Sequence, residues 1–324
     1  MRKVLTIAGS DSSGGAGIQA DIKTITAHKM YAMSVITALT AQNTTGVFGV
    51  VETAPAFVEA QLEACFEDIM PDAVKVGMVS NEGIIKVIAK SLRKYGAKNV
   101  VVDPVMVATS GGKLIQNGAV KALQNELFPL ATLVTPNIPE AEVLTGFSVV
   151  SVEDMRRAAR EISQKHGGVA VLVKGGHLWQ SGAKVAVDVL FFGEKFGGGG
   201  EAFGSDVCGS DVCGGEFSKK SNLVLAENGG EKFSGAVCGS GEICSGEICG
   251  RIEGDFAIFE GRFVETKNTH GTGCTLSSAI ACTLAGGETL FGAVKNGKKF
   301  VANALKSGVV IGHGNGPIDH CFGI

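Results

Sequence analysis

The strongest constraint on the fold is a recurring unit. A short β-branched run stops at a polar or Gly-rich stretch and is followed by apolar residues at helical spacing. The runs cover residues 4–7, 34–39, 73–78, 100–102, 133–134 and 169–173. Between them Ile18, Ile22 and Ile25, then Val58, Leu62, Cys65, Phe66 and Ile69, then Ile84, Ile85, Ile88, Leu92 and Tyr95 each trace one helix face. Ser151 and Asp154 open a further helix as a capping-box-like pair. Strands separated by helices can pair in the same direction, so the pattern predicts an α/β chain whose mainly parallel central sheet carries helices on both faces. Polar residues gather just after the strand ends, the edge at which such sheets bind ligands.

The first strand runs into Gly9-Ser10-Asp11-Ser12-Ser13-Gly14-Gly15-Ala16-Gly17, a loop that demands unusual backbone angles and close approach to the main chain. Gly9 and Gly14 keep the gap of a P-loop, but Gly15-Ala16 stands where Lys-Ser/Thr is required, and Gly-x-Gly-x-x-Gly is absent. Asp21 falls one turn into the next helix and is expected to point back toward this loop.

Near the other end, Thr269-His270-Gly271-Thr272-Gly273-Cys274 leads into a run of small and apolar residues that reads as a helix start. Gly271, Thr272 and Gly273 free the backbone to direct its N–H groups into one concavity, and a helix N-terminus adds partial positive charge. This is a candidate anion hole. Cys274 lies in the first helical turn, where that field is expected to lower its thiol pKa and make it a candidate nucleophile or base. By itself the motif reads equally well as a Gly-rich helix start with a buried Cys.

The 324-residue chain has a formal net charge of −3 and no lysine or arginine block, which argues against nucleic acid or an anionic membrane as partner. No apolar run approaches the roughly 20 residues of a membrane span, and residues 1–7 show no signal-peptide core, so cytoplasmic residence is expected. Of nine Cys, Cys65, Cys274 and Cys282 fall in helical patterns and five crowd one segment, which fits a reducing compartment better than a disulfide scaffold.

That segment, about 193–255, interrupts what is otherwise read as one domain over 1–324. Residues 185–192 and 256–264 look like neighbouring antiparallel strands. Between them lie 17 Gly in 62 residues (193–254) and imperfect repeats around Cys208, Cys213, Cys244 and Cys249. So little apolar surface cannot offset ordering entropy, and a mostly disordered insert is expected. The two Cys-x4-Cys pairs leave zinc as the alternative.

Taken together, Ala8 to Asp21, Thr40-Ala41-Gln42-Asn43-Thr44, Asp103-Pro104-Val105-Met106, Thr135-Pro136-Asn137-Ile138-Pro139-Glu140-Ala141, Val173-Lys174-Gly175-Gly176-His177 and Asn268 to Thr275 resemble the hydroxymethylpyrimidine (phosphate) kinases of thiamine biosynthesis. These are ribokinase-like proteins. The resemblance spans the chain outside the insert, and the tail 312–317 also follows the family, with Asn315 where His is expected.

The resemblance implies ATP- and Mg²⁺-dependent phosphorylation of 4-amino-5-hydroxymethyl-2-methylpyrimidine and then of its monophosphate. It makes Gln42 the reader of the pyrimidine, because a carboxamide donates and accepts together. Asp21, Met78 and Val105 join it in the substrate pocket, though Met78 and Val105 are equally plain core residues. Lys174, at a strand end, is a point charge for phosphate oxygens. Asp103, Asn137 and Glu140 belong to the ATP and magnesium region, with Asp103 and Glu140 reaching the ion indirectly or through water. Cys274 takes the place where ribokinase relatives use an Asp base. The expected partners are ATP and the pyrimidine, with a homodimer the one oligomer entertained. A pyridoxal-type kinase and a non-catalytic ligand-binding relative are the alternatives. The end of the chain leaves no room for a fused thiamine-phosphate synthase, so the kinase alone is expected.

Overall fold

A computed structural model of the chain describes residues 1–106, 118–176, 185–194, 226–228, 231–233 and 248–322. The elements in chain order are β1 (Lys3–Asp11), α1 (Gly17–Ala27), β2 (Tyr31–Asn43), β3 (Gly46–Glu52), α2 (Pro55–Asp68), β4 (Ala73–Val76), α3 (Glu82–Lys94) and β5 (Val100–Val102). After these come α4 (Ala119–Ala122), β6 (Leu133–Val134), α5 (Ile138–Thr145), α6 (Val152–Lys165), β7 (Ala170–Gly175) and β8 (Val185–Phe191). The short β9 (Ala226–Asn228) and β10 (Glu231–Phe233) pair only with each other, and β11 (Cys249–Glu253), β12 (Phe256–Arg262), α7 (Thr272–Ala285) and α8 (Leu290–Lys306) complete the chain.

Ten strands form one sheet in the order β11-β12-β8-β7-β6-β5-β4-β1-β2-β3. The six from β7 to β2 run parallel, and β3, β8, β12 and β11 add antiparallel edges. Alternation along each central strand divides two cores. Leu5, Ile7, Val74, Val76, Val100, Val102, Val171 and Val173 face α2, α3 and α6 on one side. Val4, Ala73, Val101, Ala170 and Leu172 face α7 and α8 on the other. The expected layers are therefore present, and the parallel strands put the segments that follow β1, β4, β5, β6 and β7 at one edge.

Three boundaries differ from the sequence expectation. Strand β1 continues through Gly9, Ser10 and Asp11 with a register shift between Ala8 and Ser10, and Gly9 at the shift lies against the Met78 side chain, where a Cβ would come within 3.1 Å of its sulfur. Strand β2 is longer than 34–39 and turns at Thr44 and Thr45 into β3, which the search for alternating runs misses because most of its residues are exposed. The insert is also shorter than 193–255 at its far end, since Cys249–Glu253 is a strand held by β12 over five residue pairs. Most of the remaining insert, with Cys208, Cys213, Cys238 and Cys244, lies outside the described residues, as does His177. The expected β8–β12 pairing is observed, Val185 opposite Arg262 through Phe191 opposite Phe256.

One charged pair lies within the core. Lys75, in the otherwise apolar run Ala73-Val74-Lys75-Val76, is wholly buried and bonds both oxygens of Asp21 at 2.8 and 3.0 Å. Asp21 also accepts from Thr6 Oγ1 at 2.5 Å and Ser278 Oγ at 2.7 Å, so the carboxylate ties α1, β1, β4 and α7 together. Burial pushes the Lys75 ammonium down, but the Asp21 carboxylate outweighs it and holds the pKa above the usual lysine range. Breaking such a pair from one side leaves a buried charge unmatched. Lys75→Met should therefore destabilise the fold by about 3–5 kcal/mol, and adding Asp21→Leu should recover most of the loss. Urea denaturation of both variants checks this. A single-variant loss below about 1 kcal/mol would contradict it.

Candidate functional site

Two Gly-rich loops meet at the carboxyl edge, and a single carboxylate organises them. Asp11 accepts the backbone N–H of Ser13 at 2.8 Å, of Gly15 at 3.0 Å and of Ala16 at 2.8 Å, together with the Ser13 hydroxyl. The loop that resembles a P-loop thus wraps a carboxylate of its own chain. Asp11 Oδ2 also receives His270 Nε2 at 2.8 Å, across 259 residues of sequence. Burial would raise the Asp11 carboxyl, yet the bonds from His270, Ser13 and Ala16 bring it down to about 2.

Gly271, next in the chain, has φ 83°, and a Cβ there would collide with the Gly15 carbonyl oxygen. Only glycine satisfies both conditions. Helix α7 starts immediately after, with no side chain capping it, so its first-turn N–H groups have no partner within the helix. The Thr272 hydroxyl turns back to the Thr269 carbonyl. A Cβ on Gly273 would lie 3.4 Å from Asp103 Oδ2 and 3.6 Å from Lys174 Nζ, which brings the expected anion hole against two further expected residues.

Lys174 ends β7 and Asp103 follows β5. They pair at 2.7 Å, and Asp103 Oδ1 also accepts the Thr135 hydroxyl at 3.1 Å. Burial lowers the Lys174 ammonium, but Asp103 and Glu140 more than reverse this. Asn137 and Glu140 form a full capping box at the start of α5, Asn137 N to Glu140 Oε2 at 2.8 Å and Glu140 N to Asn137 Oδ1 at 2.9 Å. Burial first, and Asp103 after it, push Glu140 up to about 7 against the pull of Lys174. Among the described residues no cluster of three or more ligating side chains is found. Asp103 Oδ2 and Glu140 suit a magnesium ion that keeps water and phosphate ligands, not a cage made wholly of protein.

Gln42 is half-buried at the end of β2. Its amide lies 3.2 Å from Thr40 Oγ1 and 3.3 Å from His270 Nε2. Met78 is buried behind Gly9, and Val105 follows Asp103, half-buried.

Two expectations need correction. Asp21 has no exposed surface, and its oxygens are consumed by Lys75, Thr6 and Ser278, so it supports the site from below and does not face a ligand. The Cys274 thiol is raised, not lowered. Burial is the largest cause, and Asp21 and Asp103 add to it, so the opposing Lys75 charge and Gly17 N–H do not produce a thiolate. The helix terminus argument considered one favourable field and omitted the carboxylates that folding brings beside the sulfur.

Asp11, His270, Lys75 and Thr40 carry the geometry yet were not singled out from the sequence. A lysine at the centre of a Val-rich strand and an aspartate inside a Gly-rich loop were the available signals. His270 and Thr40 gave none beyond their place in a motif.

The family model described as phosphomethylpyrimidine kinase matches residues 11–198 and 240–319, leaving out the middle of the insert. The thiamine biosynthesis bifunctional protein ThiED of Geobacter sulfurreducens is 43% identical over 317 residues, 98% of this chain and 52% of that protein, so the chain spans about half of that relative. The hydroxymethylpyrimidine/phosphomethylpyrimidine kinase of Rhizobium meliloti is 42% identical over 98% of this chain and 96% of its own. Among solved structures, phosphomethylpyrimidine kinase from Clostridium difficile is 39% identical with TM-score 0.65, covering 94% of this chain and 100% of that one. An ADP complex of Bacillus subtilis pyridoxal kinase is 30% identical with TM-score 0.72, covering 99% and 97%. The chain belongs to the phosphomethylpyrimidine kinase family, on a ribokinase-like fold.

Proposed function

We propose that the protein transfers the terminal phosphoryl group of ATP to the alcohol of 4-amino-5-hydroxymethyl-2-methylpyrimidine, and a second one to the resulting monophosphate. The observation that carries this reading is the meeting of the uncapped α7 N-terminus with Lys174 and Asp103, one residue along the chain from the His270 that touches Gln42. A phosphoryl group in transit needs fixed donors and positive charge, and an aminopyrimidine needs a paired donor and acceptor. Gln42 would read the ring edge, with Met78 and Val105 against its faces. The amides of Gly271, Thr272 and Gly273 and the Lys174 ammonium would hold the phosphate oxygens. Asp103, Asn137 and Glu140 would hold a hydrated magnesium ion, which when bound would supply positive charge at the phosphates.

Pyridoxal kinase is the second reading, because that structure superposes with the higher TM-score of the two. Gln42 and the greater sequence identity to pyrimidine kinases favour the first. Cytoplasmic residence and a homodimer belong to the same proposal. The free thiols at Cys65, Cys274, Cys282 and Cys321 suit a reducing compartment, and no described helix is long and apolar enough to cross a membrane.

Replacing Gln42 with Leu, which has similar size and no hydrogen-bonding group, should weaken pyrimidine binding by roughly 1–3 kcal/mol in a folded protein. Isothermal titration checks this, and unchanged affinity would contradict the reading. The neutral Cys274 thiol is not a resting base, so it would act by shape and as a weak donor. Cys274→Ala should then slow phosphorylation of the alcohol and of the monophosphate by similar factors in single-turnover assays. A loss confined to the alcohol would restore a base role, because only that substrate has a proton to give up. Iodoacetamide labelling read by mass spectrometry offers an independent check. Exposed Cys321 should react well before Cys274 at pH 7, and rapid labelling of Cys274 would show a thiolate.

A further inference from the structure

The chain beyond α8 leaves that helix, runs along the edge of the site and comes back. The Asp319 N–H donates to the Ala304 carbonyl at 3.2 Å, and the Phe322 ring lies 4.9 Å from that of Phe300, so residues 305–318 form a loop whose ends are joined on α8. Compact loops with joined ends are frequently functional. Midway, the Asn315 N–H donates to the Thr44 carbonyl at 2.9 Å and the Gly314 N–H to the Thr44 hydroxyl at 3.1 Å. The Gly316 carbonyl accepts the His270 N–H at 3.1 Å, and Pro317 pairs with His270 as a parallel bridge. Asn268 Nδ2 donates to the Val309 carbonyl at 2.6 Å. His320 then meets the first turn of α7, its Nε2 2.8 Å from the Thr275 hydroxyl oxygen.

These bonds fall on both sides of Gly271, Thr272 and Gly273. Asn268 and His270 are held before them and Thr275 after them, and among the described residues no bond from the tail reaches the three themselves. A helix start fixed from outside on both sides keeps its donors in one geometry, with nothing to rearrange while a phosphoryl group moves. Thr275 and His320 are both buried, so solvent does not take the place of their bond. Burial, with the Lys23 charge after it, brings the His320 ring down to about 4, so at pH 7 the ring is neutral and adds no charge to the loop. Its contribution is one of position. We infer that residues 309–320 clamp the anion loop from outside the site, with His320 as a positioning residue for phosphoryl transfer. The role rests on the proposed transfer at Gly271, Thr272 and Gly273.

His320→Phe keeps a packed ring and removes the hydrogen bond, whereas His320→Gln keeps a donor and an acceptor at similar reach. In single-turnover assays at saturating ATP and hydroxymethylpyrimidine, the phenylalanine variant should transfer the phosphoryl group roughly 10- to 100-fold more slowly, the scale of a misplaced reacting group. Its Kd for the pyrimidine, read by isothermal titration, should be unchanged, and the glutamine variant should retain most of the rate. Hydrogen exchange read by mass spectrometry needs no activity. Amides of residues 271–275 should exchange faster in the phenylalanine variant than in the unaltered protein. If a melting curve shows that variant unfolded, Thr275→Val removes the same bond from the helix side. A folded variant without the bond that transfers at the unaltered rate overturns the positioning role and leaves the kinase reading in place, as do equal losses in the phenylalanine and glutamine variants. No turnover of the pyrimidine by the unaltered enzyme overturns the kinase reading. Exchange alone then decides the clamp, which faster exchange supports and unchanged exchange overturns.

Discussion

The site depends on the carboxylate of Asp11. Helix starts and Gly-rich loops expose backbone N–H groups, and folding two of them against each other concentrates positive potential that must be balanced. Asp11 supplies the balance for the first loop and fixes His270 of the second. This leaves the N-terminus of α7 uncapped by any side chain and directed at Asp103 and Lys174. One loop is thus satisfied internally, and on the proposed reading the other would receive an anionic ligand. The glycines follow from the same contact, because Gly15 and Gly271 have no room for a Cβ at the place where the loops touch.

Beneath this layer the Lys75–Asp21 pair joins α1 and α7 to the centre of the sheet. Burial raises the neighbouring Cys274 thiol, with Asp21 and Asp103 adding to the rise and the Lys75 charge opposing it. A similar support lies on the far side, where Asp188 of β8 accepts the Gly175 N–H just after Lys174 and pairs with buried Lys298 of α8. Site residues at strand ends are held by charges one layer down.

How much of this is legible in the sequence depends on the range of the interaction. The central strands and α2, α3 and α6 follow from local periodicity, because each buries one face against a neighbour on its own side of the sheet. The anion loop, Lys174, Asp103 and the Asn137–Glu140 pair could be named because polar residues at strand ends share one edge whatever the detailed packing. Edge strands β3 and β11 were missed, since exposed edges carry no clear alternation. Asp21 and Cys274 were misjudged for one reason. Their surroundings are made by Lys75, Ser278 and Asp103, which lie far away along the chain, and no local pattern announces those neighbours.

The most direct measurement is made on Asp11→Asn, which keeps the shape and one acceptor but cannot neutralise the donors gathered around it. With its folded pKa at about 2 against an ordinary 3.8, Asp11 contributes stability that is complete above pH 3.8 and lost as the pH falls toward 2. Denaturation of the variant at neutral pH should show a loss of about 2 kcal/mol or more, its stability should vary less with pH in that acid window, and phosphoryl transfer should fall sharply. Stability and turnover equal to those of the unaltered protein would contradict the claim that this carboxylate assembles the site.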